Sequence, residues 1–337
     1  MRYKLFSLLV AILLLSTFKN QAQSFMSDYQ IVEAVNFKPI ENPDNTTNYR
    51  LVHNKSMYEE RWDTLPQPNF WRTLMTMDED SALLNIGFNR QIIKKVAVEE
   101  WNKLQDERKN AIRDSIRNHY GLAPDARIFL TSGKKSFYDF HKVLPSIEKG
   151  IDVFKTNGVD PFYAQAILLI ESPNKLQKSP VGAYGSFQLM RNVAIQMGLK
   201  VNSYIDERKD FERSAWAAAK LLKTICIPET NKILQDKNIA FSEHELWYKL
   251  LVLHVYHAGA GNVKKAVDVV NPSVGNMELI TQLWQTEAGQ FRNASQNYTQ
   301  LALASLLTLD EIIYNHCDFV YPCYVDTDEV ELNQEMN

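Results

Sequence analysis

A chain of 337 residues, 45% hydrophobic and 23% charged, is long enough for a sizeable core and has the composition of a folded protein. Twelve Gly and twelve Pro exclude a collagen-like or low-complexity chain. With residues 1–22 set aside, 34 basic residues face 40 acidic ones, a net charge of −6 without any Lys/Arg-rich run, so nucleic acid and acidic membrane surfaces are poor partners.

Residues 1–22 read as a secretory signal. Arg2 and Lys4 precede the apolar run Leu5 to Leu15, and small or polar residues follow to Ala22, the expected cleavage point. The run is short of the about 20 residues a membrane span needs. No Cys precedes Cys226, so a lipid-modified cysteine at the cleavage site is excluded and a periplasmic or secreted destination is expected. An uncleaved signal anchor is the alternative.

Residues 23–69 are polar, carry Pro39, Pro43, Pro66 and Pro68, and show no sustained period. They predict an extended or disordered leader. Residues 70–134 read as a helical accessory region. Val96, Trp101, Leu104, Ile112, Ile116 and Tyr120 recur at helical spacings and predict one long helix or a helical hairpin ending near Gly121.

From 135 to 275 the helical signals sharpen. Pro145 can open a helix at its first position, and Asn157-Gly158 can close it. Asp160-Pro161 then starts another as N-cap and N1. Gly198 stops a short helix, Asp210 caps one with an Ala215, Ala218, Ala219 stripe, and Ser242 with Glu245 spells a capping box. Gly259-Ala260-Gly261 breaks the helix that ends near Tyr256, and Asn262 can cap the next. Residues 276–337 predict a C-terminal helical extension and an acidic tail. The fold class is mainly α.

Chemistry concentrates between Asp160 and Met190. Glu171 follows the apolar run Ile167 to Ile170, and Pro173 ends that helix. An acid in apolar surroundings at a helix C-terminus resists ionisation, so its pKa should rise, as a general acid near neutrality requires. A Glu paired with a distant Lys or Arg would read the same way. No other acid occurs between Glu171 and Asp206, which argues against a neighbouring second carboxylate. His254 and His257 sit three apart on one helix, yet lack further ligands at zinc spacing. Asp206 and Arg208 read as a structural ion pair. The six Trp are scattered and should mostly be core. Cys317 and Cys323 can form a short disulfide loop or remain thiols.

Glu171-Ser172, then Lys178-Ser179-Pro180-Val181-Gly182-Ala183 with Gly185, Gln188, Leu189 and Met190, then Tyr256-His257-Ala258-Gly259-Ala260-Gly261-Asn262-Val263 form an ordered set. The set resembles the lytic transglycosylases of goose-lysozyme-like fold and is similar to the SLT-type domain of soluble and membrane-bound murein transglycosylases. The resemblance spans about residues 158–270. It implies that Glu171 is the sole catalytic acid/base, that Ser179, Gln188 and Met190 line a glycan cleft, and that Tyr256 lies beside the carboxylate. It implies cleavage of the MurNAc–GlcNAc bond of peptidoglycan to a 1,6-anhydro product, without cofactor or metal, by a monomer, with cell-envelope proteins as candidate partners. His257 stands where relatives carry Asn, Arg191 where they carry Pro, and Ser186 where they carry Leu or Met. These departures bear on subsite preference.

Overall fold

The computed structural model describes residues 29–38, 46–171 and 178–322. The expected signal and its cleavage site lie outside these residues, as does Cys323, one of the two cysteines that can pair or remain thiols. The fold is mainly α, with two small sheets packed on the helices.

Strands β1 (Tyr29–Phe37) and β2 (Thr47–Asn54) form an antiparallel pair, and β6 (Phe319–Pro322) adds to the other edge of β1, giving the order β2-β1-β6. Ile31, Val32, Ala34, Phe37, Leu51 and Val52 are buried in the main core. The extended or disordered leader expected over 23–69 is therefore corrected for its described residues. A strand whose partner is nearly 300 residues away leaves no local periodic signal. Pro66 and Pro68 do not mark a loop either. They open α2 (Pro66–Thr76), which follows the single turn α1 (Ser56–Glu59).

The helical accessory region expected over 70–134 is corrected as well. It contains a second antiparallel sheet of β3 (Ser81–Ile86), β4 (Ile92–Ala97) and β5 (Ile128–Ser132), with β3 central. The expected long helix begins as β4, turns through α3 (Val98–Lys103) and resumes as α4 (Asp106–His119). Leu84, Ile86, Trp101, Ile116 and Ile128 make a small core of their own, whereas Phe70, Trp71, Leu74 and Met75 on α2 belong to the main core. Arg90 joins the two. Its guanidinium stacks over Phe70, Trp71 and Phe129 at 5.6–5.7 Å and donates to Asn293 and Asn297.

The main body is helical. It comprises α5 (Phe140–Thr156), α6 (Pro161–Glu171), α7 (Arg191–Met197), α8 (Phe211–Leu221), α9 (Ile227–Asp236), α10 (Leu246–Ala258), α11 (Ala260–Val270), α12 (Met277–Leu283) and α13 (Asn293–His316). Five turns of the local code hold. Asp160 Oδ1 accepts from the Phe162 N–H at 2.8 Å, Asp210 Oδ1 accepts from the Arg213 N–H at 2.8 Å, and Asn157, Gly158 and Gly198 end helices. Pro145 does not open α5. It lies inside the helix, because Phe140, Val143 and Leu144 extend the buried face upstream and Asp139 supplies the cap. Asn262 does not cap α11: that helix starts at Ala260 with Gly259 at its N-cap, and the Asn262 side chain, one turn inside, donates to the Ala258 carbonyl at the end of α10 at 2.9 Å.

Helix α6 organises these parts. All ten residues from Pro161 to Ile170 are buried, so the helix has no solvent face. It packs on α5, where Gly150 lets the two approach so closely that a Cβ would lie 2.9 Å from Leu168 Cδ1. It also packs on α13 and β2. Gln165, fully buried in mid-helix, clasps the edge strand: its Oε1 accepts from the Val52 N–H at 2.8 Å and its Nε2 donates to the Val52 carbonyl at 2.7 Å. Among the described residues no helix is long and apolar enough to cross a membrane.

Gln165→Leu strips partners from both buried Val52 backbone groups. Each orphaned group costs about 1–3 kcal/mol, so the variant should lose roughly 2–6 kcal/mol of stability. Urea unfolding should show this as a lower midpoint with an unchanged slope.

Candidate active site

Glu171 ends α6 and is largely removed from water. Its carboxyl pKa is raised to about 7, because burial penalises the charged form, and the neighbouring Tyr298 hydroxyl offsets only part of this. The groups around it supply no positive charge. Burial drives the His257 imidazole down to about 4, and burial together with His257 drives His254 down to about 3, so both rings are neutral at physiological pH. Burial and the Glu171 charge raise the phenols of Tyr256 and Tyr138. They likewise raise Tyr298, with Tyr256 adding to the effect. The carboxyl thus sits among neutral hydroxyls, and no second carboxylate among the described residues perturbs it.

Three elements place these side chains. Tyr256 and His257 sit in the last turn of α10, and Tyr298 lies in the first half of α13. His257 stacks on Tyr298 with ring centroids 4.2 Å apart and planes 20° apart, which fixes the phenol beside Glu171. His254, one turn earlier on α10, bonds through Nε2 to Thr299 Oγ1 at 2.8 Å, and Trp284 Nε1 donates to the same oxygen at 2.8 Å. The two histidines therefore serve the α10–α13 contact in different ways.

Ser179, Gln188 and Met190 lie on one loop that closes on itself. Ser179 Oγ accepts from the Ala183 N–H at 3.0 Å, its own N–H donates to the Ala183 carbonyl at 2.9 Å, and Tyr184 pairs with Leu189. Gln188 holds a left-handed backbone (φ 45°), and its side-chain amide donates to the Gly185 carbonyl at 3.0 Å. Met190 is 43% exposed at the end of the loop.

Arg208 pins this loop from outside. It donates to the Gly182 and Leu189 carbonyls, each at 3.0 Å, and grips Asp206 with two nitrogens at 2.9 and 2.7 Å. The Asp206–Arg208 pair is structural, as its position in the sequence suggested. Gly185 makes the close approach feasible: a Cβ there would lie 1.9 Å from the Arg208 carbonyl oxygen, and its φ is +83°. The loop meets the carboxylate side through Tyr256, whose hydroxyl donates to the Phe187 carbonyl at 2.7 Å.

The structure thus joins Glu171 to Tyr256 and, through Phe187, to the loop bearing Ser179, Gln188 and Met190. Sequence reading missed Tyr298 and Tyr138. Tyr298 stands in the polar stretch Asn293 to Gln300, where a single aromatic at helical spacing looks like any core anchor.

Residues 151–273 match the family model described as Transglycosylase SLT domain, so this segment is a lysozyme-like helical domain of the SLT type. Such a domain supports lytic-transglycosylase-type activity on peptidoglycan. A comparison with curated proteins finds no match.

The raised pKa has a consequence for stability. A carboxyl with pKa about 7 when folded and about 4.5 when unfolded binds its proton more tightly in the folded state. Its contribution is complete below pH ~4.5 and is lost as pH climbs through ~7. Glu171→Gln should therefore gain stability relative to the native protein between those pH values, by up to ~3 kcal/mol at about 1.4 kcal/mol per pH unit, and gain no more above them. Unfolding midpoints of the two proteins measured from pH 4 to 8 check this. A constant difference would mean an ordinary carboxyl.

Proposed function

Taking the SLT transglycosylase domain at residues 151–273 as the premise, we propose that Glu171 is the acid, then the base, in non-hydrolytic cleavage of the MurNAc–GlcNAc β-1,4 bond. The observation that carries this reading is a partly exposed carboxyl whose desolvation raises it to about 7, with no second carboxylate acting on it among the described residues. A retaining or inverting hydrolase of the common kind needs two acids roughly 5–9.5 Å apart.

The steps balance with one residue. Protonated Glu171 donates to the glycosidic oxygen as the bond from C1 breaks, and the GlcNAc hydroxyl leaves. The muramoyl 2-acetamido group shields the oxocarbenium-like centre from the opposite face. The carboxylate then takes the proton of the C6 hydroxyl, whose oxygen closes on C1 to give the 1,6-anhydro ring. A pKa near the working pH lets the group do both jobs.

Tyr298 sits beside the carboxyl as a neutral phenol, and Tyr256, whose hydroxyl is engaged by the Phe187 carbonyl, lies near enough to feel its charge without forcing its ionisation. Ser179 has one hydroxyl hydrogen beyond its accepted bond, suited to a sugar oxygen or acetamido carbonyl. Gln188 and Met190 provide a polar and an apolar wall of the glycan cleft. The scheme calls for no cofactor or metal. It places the protein, as a monomer, in the periplasm or outside the cell, in reach of the wall and of envelope proteins.

Mass spectrometry of digested peptidoglycan tests the scheme. The native protein should release products lighter by one water than lysozyme products, and Glu171→Gln should lower release by at least about a hundredfold. Reducing ends would assign a hydrolase instead. Undiminished release by Glu171→Gln would remove the catalytic role.

A further inference from the structure

The loop that carries Ser179 and Gln188 borders a cavity of about 410 Å³, whose walls include Lys178, Tyr184, Tyr204, Ile205, Asp206 and Lys209. Tyr204 is 94% exposed and Ile205 49% exposed. Their backbone is nevertheless tightly held. Asn202 Oδ1 accepts from both the Tyr204 and Ile205 N–H groups at 2.9 Å, and the Asn202 N–H donates to the Ile205 carbonyl at 2.8 Å. An aromatic presented to water on a fixed turn is a ready contact surface.

Across from it, Tyr184 lies under Lys209 at 5.9 Å and Arg208 at 5.5 Å. The charge balance of the cavity is positive. Both oxygens of Asp206 are engaged by Arg208, while Lys178 and Lys209 are exposed and form no ion pair among the described residues. Lys178 directly precedes Ser179, and Tyr184 pairs with Leu189, the neighbour of Gln188. Whatever occupies this cavity therefore lies beside the wall proposed for glycan.

We propose that this cavity is a subsite for the carboxylates of the peptide stems attached to the glycan, so that peptide-bearing strands bind more tightly than denuded ones. The proposal rests on the peptidoglycan reading above. The stems are flexible and carry free carboxylates. Two lysines, as mobile point charges, suit such groups, and Tyr204 with Ile205 can cover the apolar parts of the stem. A four-residue stem reaches about 13–14 Å when extended.

Binding measured in a Glu171→Gln background, which blocks turnover, tests this with two probes: purified peptide-bearing strands and the same strands stripped of stems by an amidase. Stems should tighten binding several-fold, at up to about fivefold per exposed lysine–carboxylate contact. The preference should vanish in the Lys178→Gln/Lys209→Gln double variant and at roughly 0.5 M salt, where exposed charges are screened. Equal binding of the two strands, or a preference that survives both treatments, would overturn the subsite alone. Failure of both strands to bind would overturn the peptidoglycan reading and the subsite together.

Discussion

A helix with no polar face must be enclosed on every side, and α6 imposes that requirement on the whole molecule. Its ten buried residues from Pro161 to Ile170 are covered by α5, α13 and a sheet assembled from both ends of the described chain. The sheet is not a loose lid. Gln165 satisfies both outward-facing groups of Val52, so the edge strand is tied to the centre of the helix that ends in Glu171. Enclosure has a chemical result at that end: the Glu171 carboxyl is only partly exposed, desolvation penalises its charged form, and its pKa rises to about 7.

What surrounds the acid matters as much as what is absent. Two imidazoles with lowered pKa stay neutral, and three phenols remain protonated. A lysine or arginine at that point would pull the carboxyl back toward its ordinary range. The cations instead stand behind the loop. Arg208 spends its donors on Asp206 and on two loop carbonyls, shaping residues 179–190 without touching Glu171's protonation. Loop shape and acid strength are therefore set by different residues.

The parts of this arrangement that were legible in the sequence are the local ones. Asp160 and Asp210 act as N-caps, and Asn157-Gly158 and Gly198 as stops, because capping is decided within four residues. The resemblance implies Glu171, Ser179, Gln188, Met190 and Tyr256 as site residues; Glu171 and Tyr256 lie near the ends of α6 and α10, and the other three share one loop. The parts that were not legible depend on distant partners. β1 finds β6 across the chain, and β3 needs β4 and β5, so segments that looked polar or helical became strands. Tyr298 meets Glu171 only because α13 packs on α6, and His257 gains a packing role only through its stack on Tyr298.

The central claim is that burial alone keeps Glu171 protonated near neutrality. The most direct measurement is an NMR titration of the Glu171 side-chain carbon, assigned by comparison with Glu171→Gln. The account predicts a midpoint near pH 7. A midpoint near 4.5 would mean a solvated or cation-paired carboxylate, and would contradict it.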